Sequence, residues 1–174
     1  VLVRVISPVL SFTAEEIWEK MPENIKEVES IHLASWVELK PEYIDNDLEE
    51  KWNKIYHLRR EINKKIEEKR QNGEIGLSLD ARVLLNVQND EYNFLKEYSL
   101  WDTSDMFLVS QVEYTDEILE DTEIQGITVK IEKALGVKCE RCWKYSTEIV
   151  QNEFGNVTPR DMEVLRLMKQ NGEL

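Results

Sequence analysis

Two cysteines in 174 residues, both inside one Cys-x-x-Cys at Cys139 and Cys142, leave no material for a disulfide framework of the secreted kind. Two thiols at that spacing suit a reducing compartment, and the cytoplasm is the expected location. Long apolar runs are missing as well. Stretches such as Val83 to Leu85 and Met106 to Val109 fall far short of the roughly 20 residues a membrane-spanning helix needs. At Val1 there is no initiator Met, no charged leader and no small-residue cleavage site, so the start reads as the interior of a helix cut from something longer. No internal repeat or low-complexity tract is visible. Positive charge is scarce too: 22 Lys and Arg against 35 Asp and Glu give a net charge of −13. That balance argues against a general nucleic-acid binder, because phosphate neutralisation by cations supplies most non-specific affinity.

The charge that is present is unevenly spread. Between Lys51 and Gly76, eight cations (Lys51, Lys54, Arg59, Arg60, Lys64, Lys65, Lys69, Arg70) stand against four glutamates, and from Lys130 to Lys144 five cations stand against two. Both islands could meet phosphate. From Asn89 to Glu123, eleven carboxylates accompany the single cation Lys96, a stretch expected to stay solvated and to repel RNA. Apolar residues make up 41% of the chain, enough for a sizeable core.

Periodicity places the elements. Val1 to Leu10 is helix-like and stops near Pro8, which lacks an amide donor. Thr13-Ala14-Glu15-Glu16 fits a capping box, so a second helix is expected to begin at Thr13 and to end at Pro22. Ile31 to Trp36 reads as extended chain, with Trp18, Trp36 and Trp52 as core residues. Ile44, Leu48, Trp52, Ile55, Leu58, Ile62 and Ile66 recur at helical steps and predict one long amphipathic helix ending at Gly73. Beyond Gly76 the period changes to two: Ala81, Val83, Leu85 and Val87 predict a strand, as do Met106 to Tyr114 and Gly126 to Lys133, with a short helix over Asp90 to Tyr98. A last helix follows Pro159, framed by Thr158 and Asp161.

Certain phrases carry a resemblance. Ile6-Ser7-Pro8-Val9-Leu10-Ser11-Phe12-Thr13-Ala14-Glu15-Glu16-Ile17-Trp18 resembles the helical anticodon-binding domain shared by isoleucyl-, valyl- and leucyl-tRNA synthetases. Ser30-Ile31-His32-Leu33 with Trp36, then Leu58-Arg59-Arg60, Ile66-Glu67, Arg70, Ile75-Gly76 and Ser78-Leu79-Asp80-Ala81, follow the order seen in isoleucyl enzymes. Lys138-Cys139-Glu140-Arg141-Cys142-Trp143 looks like the first knuckle of their C-terminal zinc finger. A related finger occurs in formamidopyrimidine-type DNA glycosylases, but the helical phrases have no counterpart there, and DNA is not an expected partner. The resemblance implies a mainly α-helical bundle, incomplete at its N-terminus, over residues 1–73. A small α+β module over 74–136 and a degenerate zinc-finger-like tail over 137–174 would follow. It implies isoleucine tRNA and the remaining domains of a synthetase as partners, with no membrane involved. ATP and Mg would serve the parent enzyme, since no H-I-G-H-like or K-M-S-K-S-like motif is present here and this piece alone would be inactive.

Under that resemblance Arg59, Arg60, Lys64, Lys65, Lys69 and Arg70 form a track for tRNA phosphates, and Lys138, Arg141, Trp143 and Lys144 a second contact. Without it, the long helix reads as a solvated face with local ion pairs or as a protein-docking element. Trp143 is either a stacking platform or a core residue of the cysteine turn. Valyl and leucyl enzymes remain alternatives. Zinc would need Cys139 and Cys142 plus a second knuckle, whose positions hold Thr158-Pro159-Arg160-Asp161. His32 and His57 lie far upstream. Asp161 or another carboxylate plus solvent would have to complete the site, so zinc is expected to be absent or weakly held. A redox pair has the same spacing but lacks a preceding strand and a helix beginning at the pair.

Overall fold

The structure, a computed structural model, describes residues 1–38 and 40–172, so the last two residues of the expected tail module lie outside it. The chain divides into two compact units, Val1–Asn46 and Asp47–Leu174. That division falls well before residue 73, the expected end of the helical domain. The long helix shares a core with the strands that follow it, and this common burial joins what the change of period separates.

In the first unit, helix α1 (Leu2–Ile6) ends before Pro8, and α2 (Ser11–Lys20) begins two residues earlier than the capping box predicted. Leu10 precedes α2 without a side-chain cap, and the Ala14 amide already donates to the Leu10 carbonyl at 2.8 Å. Glu15 serves another end: its Oε2 accepts from Ser30 Oγ at 2.9 Å and from the Ile31 amide at 3.1 Å. These bonds hold a 3-10 turn over Ile31–Leu33 in place of the expected extended segment. Ile31 packs with Ala14 and Trp18, whose indole N–H donates to the Val28 carbonyl at 3.0 Å. Trp36, expected in the core, is 65% exposed. The unit is thus two short helices with 3-10 turns and no long-helix bundle.

The second unit opens with α3 (Asn46–Gln71), which ends at Gly73 in a left-handed conformation. Ile55, Leu58, Ile62 and Ile66 are buried, each contributing about 1.5–3 kcal/mol by leaving water. They cover a four-stranded sheet of order β2-β1-β4-β3, built from β1 (Ala81–Val87), β2 (Gln111–Tyr114), β3 (Glu120–Asp121) and β4 (Ile127–Lys133). Strand β1 pairs antiparallel with β4, Val83 opposite Ile131 and Leu85 opposite Val129, and parallel with β2. The alternation predicted for β1 and β4 therefore sets which face meets α3.

Met106 to Val109 is not strand. Ser99 Oγ accepts from the Asp102 amide at 3.1 Å and starts α4 (Leu100–Phe107), and Leu108 closes that helix at φ 56°. The apolar run spans a helix end and a turn, burying Phe107 and Val109 from the two sides of it. Asp90–Glu97 forms 3-10 turns. The tail has two small hairpins, β5 (Val137–Lys138) with β6 (Tyr145–Ser146) and β7 (Val150–Asn152) with β8 (Gly155–Val157), before α5 (Pro159–Gln170). Gly136 sits at φ +91°, where a Cβ would lie 2.1 Å from the Ser146 carbonyl oxygen, so no side chain fits beside the first hairpin. The architecture is mixed α+β.

Candidate nucleic-acid interface

Helix α3 carries its cations off the buried stripe, as the helical steps require, but their surroundings differ along its length. Lys64 lies 2.7 Å from both Glu61 and Glu123, and Lys65 lies 3.1 Å from Glu120. Lys69 pairs with Glu74 at 2.9 Å and Arg70 with Glu67 at 2.9 Å. Hydrogen bonds donated to Glu123 and Glu61 raise the Lys64 ammonium above its usual range. Burial pushes the Glu61 carboxyl up, but the Lys64 bond, the Glu123 amide and nearby positive charge outweigh it and leave it below the usual range. Two glutamates of the acidic stretch expected to stay solvated, Glu123 and Glu120, thus fold back onto Lys64 and Lys65, while Lys69 and Arg70 are paired by Glu74 and Glu67 from outside that stretch. Arg59 and Arg60 make no ion pair among the described residues.

Beside them lies a cleft that sequence reasoning missed. Trp52, Tyr56 and Arg59 project from one face of α3 toward Tyr98, Asp102 and Asp105, enclosing about 530 Å³. Trp52, expected in the core, is 37% exposed and Tyr56 is 51% exposed, with ring centroids 5.6 Å apart. Spacing by four and three residues was the available signal, but it also fits the apolar stripe, which Trp52 only borders.

At the cysteine turn the four expected contacts separate. Lys144 is buried: its ammonium donates to Ser104 Oγ at 2.7 Å, pairs with Asp105 and sits 4.3 Å from the Trp101 ring centroid. It anchors the tail to α4 and does not face solvent. Arg160 approaches the same ring at 5.4 Å, so Trp101 serves as an internal cation platform. Arg141 is turned onto Asp161 at 3.3 Å. Trp143 and Lys138 stay outside. Trp143 is 60% exposed, with the Lys138 ammonium 6.0 Å from its ring centroid. Its amide donates to the Cys139 carbonyl at 3.0 Å, closing the knuckle, and its φ of 64° is unusual for a bulky residue. The exposed reading of Trp143 therefore stands over the core reading.

The knuckle brings Cys139, Cys142 and Asp161 together, one donor atom of each within 4.8 Å of the others. Cys139 Sγ donates to Asp161 Oδ2 at 3.2 Å, Thr158 Oγ1 donates to the same oxygen at 3.0 Å, and Arg141 holds Oδ1. Burial, followed by the hydrogen bond to Asp161, pushes the Cys142 thiol up to about 12. Burial opposes ionisation of Asp161, but bonds from Cys142, Cys139 and Thr158 and the Arg141 charge outweigh it and keep its pKa low. A closed structural zinc site takes four thiolate or imidazole donors. This cluster offers two thiols and one carboxylate whose oxygens are already engaged. Neither histidine is in it.

Residues 1–85 match the anticodon-binding domain of tRNA ligase. An isoleucine–tRNA ligase of Kosmotoga olearia is 38% identical over 173 residues, which is 98% of this chain and 19% of that protein. Those of Petrotoga mobilis and Syntrophotalea carbinolica are 41% and 42% identical over 94% and 85% of the chain, covering 18% and 16% of their own lengths. Over nearly all of its length the chain is similar to isoleucine–tRNA ligases. It spans about a fifth of the length of these relatives. The matched anticodon-binding region takes in all of α3, with Arg59, Arg60 and the α3 side of the cleft, whereas Tyr98, Asp102, Asp105 and Trp143 lie outside it. No helix of the described residues is long and apolar enough to cross a membrane.

Proposed function

We propose that this chain is the part of an isoleucine–tRNA ligase that holds the anticodon stem-loop of isoleucine tRNA, in the cytoplasm, while the remaining domains join isoleucine to that tRNA using ATP and Mg. The observation that carries this reading is the pair Arg59 and Arg60, cations without an ion pair among the described residues, on the helix inside the anticodon-binding match. Arginine offers planar, bidentate geometry to phosphate, and contacts of this kind set register without reading sequence. Trp143 with Lys138 adds an exposed ring beside a cation, the combination on which unstacked RNA bases are held.

The tail needs no metal in this reading. Asp161, hydrogen-bonded to Cys139 and Thr158 and paired with Arg141, takes the place of a second knuckle, and the finger is held by these bonds together with the Lys144 anchor. The chain contributes binding and discrimination, with no chemistry of its own. A protein-docking role for α3 is disfavoured by the family match.

The test is a binding titration of the chain with isoleucine tRNA, a non-cognate tRNA and an RNA duplex of equal charge at one fixed salt concentration. Preference for isoleucine tRNA is expected. Equal binding to all three would overturn the reading.

A further inference from the structure

The cleft between α3 and α4 has a composition that phosphate contact alone does not call for. Two rings from α3, Trp52 and Tyr56, tilt at 40° to each other, and Tyr98 lines the same cleft. Its volume of about 530 Å³ falls within the range of small-ligand clefts, roughly 300–1,000 Å³. Two exposed carboxylates line it as well. Asp102 is anchored through Oδ2 to Ser99 Oγ at 2.7 Å, and Asp105 through Oδ1 to the buried Lys144 ammonium. Each carboxylate is fixed by one oxygen, and Lys144 offsets the charge of the pair from below. Arg59 lines the same cleft without an acidic partner among the described residues, with Arg60 next to it in the chain.

We infer that this cleft is a seat for a single unstacked nucleobase that carries an exocyclic amino group, adenine, cytosine or guanine, with its flanking phosphate on Arg59. The rings supply sequence-tolerant stacking faces, and single-stranded bases are commonly recognised by such stacking together with hydrogen bonds to their edges. The carboxylates supply acceptors only, so they select amino donors and disfavour uracil, which offers carbonyl oxygens at the corresponding edge. A free phosphate or an acidic peptide would meet Asp102 and Asp105 unfavourably. An apolar peptide would leave both carboxylates without donors. The lining thus favours a nucleotide, since it brings a cation, carboxylate acceptors and aromatic rings to one cleft. This inference deepens the tRNA reading by naming a subsite.

The experiment uses the whole chain with oligoadenylate, oligocytidylate and oligouridylate of equal length, titrated at low salt against the unaltered protein, Trp52→Leu and Asp102→Asn. Trp52 is partly exposed, and circular dichroism and thermal unfolding verify that each variant keeps its fold. Adenylate and cytidylate are expected to bind more tightly than uridylate. Trp52→Leu should weaken them about tenfold, a typical stacking loss. Asp102→Asn should erase the preference over uridylate while changing adenylate affinity less. If no oligonucleotide binds, or if Trp52→Leu binds like the unaltered chain, the cleft does not seat a base. Because the probes are unstructured, this outcome is independent of the tRNA titration. Oligonucleotides bound without preference for isoleucine tRNA would support the seat and contradict the tRNA reading, and the reverse pattern would contradict the seat alone.

Discussion

Cys139 Sγ lies 3.2 Å from Asp161 Oδ2, at a position where a zinc finger would bring a thiol of its second knuckle to the first. The carboxylate is buried and also takes the Thr158 hydroxyl and the Arg141 guanidinium, so it joins the two halves of the tail. The purified chain should hold far less than one zinc per molecule. The double variant Thr158→Cys with Asp161→Cys should hold one. Elemental analysis after mild chelation measures both, and a full equivalent in the unaltered chain would refute the metal-free finger.

The Cys142 thiol should be slow to alkylate. Burial, with the hydrogen bond to Asp161, pushes it up to about 12, so on the order of one molecule in ten thousand carries the thiolate at pH 8. Iodoacetamide labelling under native conditions, followed by mass spectrometry, should modify Cys142 much more slowly than after denaturation. Equal rates would contradict the half-buried, hydrogen-bonded thiol.

Trp143 combines exposure with a left-handed backbone, a conformation that costs a non-glycine residue about 1–2 kcal/mol and that asparagine tolerates better. Trp143→Asn should leave unfolding stability unchanged or raise it by up to about 1 kcal/mol. It should nonetheless weaken tRNA binding by roughly 5- to 100-fold through lost stacking. Denaturant unfolding and a tRNA titration read the two effects separately. A loss of stability with unchanged binding would make Trp143 a structural residue.

Glu61 gives the stability a pH dependence of defined sign. Burial alone would raise its pKa, but the Lys64 bond and the Glu123 amide bring it below the ordinary value of 4.5. A carboxyl with a depressed folded-state pKa stabilises fully above its unfolded value and loses that contribution as pH falls through the folded one. Glu61→Gln should therefore cost about 1–3 kcal/mol at pH 7, the usual penalty for disrupting a buried, charge-assisted bond, and much less near pH 3. Urea unfolding at the two pH values measures the difference, and a cost that does not shrink in acid would contradict the assignment.

Most of the secondary structure was legible because it rests on local pattern. The period of α3 between Ile55 and Ile66, the alternation in β1 and β4, and the Thr158 cap of α5 each follow from nearest neighbours along the chain. The failures arise where distant residues decide. Glu15 could not be separated from a capping box without knowing that Ser30 folds back onto it. Met106 to Val109 resembled a strand because its helical start, Ser99, lies outside the apolar run. The candidate interface was only half legible for the same reason. Charge counts placed cations on α3, but sequence alone does not show that Glu120 and Glu123 return to cover Lys65 and Lys64, or that Lys144 turns inward onto Trp101. The residues left open to a partner are those without such a long-range match.

That distinction can be measured directly. Neutralising Arg59 and Arg60 together to Gln, and separately Lys64 and Lys65 to Gln, changes net charge by the same amount on the same helix. Affinity for isoleucine tRNA followed across salt concentration should fall strongly for the arginine pair. Its logarithmic salt slope should become shallower by about one per lost phosphate contact. The lysine pair, already neutralised by Glu61, Glu120 and Glu123, should change both far less. Equal losses for the two pairs, or none for the arginines, would contradict the assignment of the RNA contact to the unpaired cations of α3.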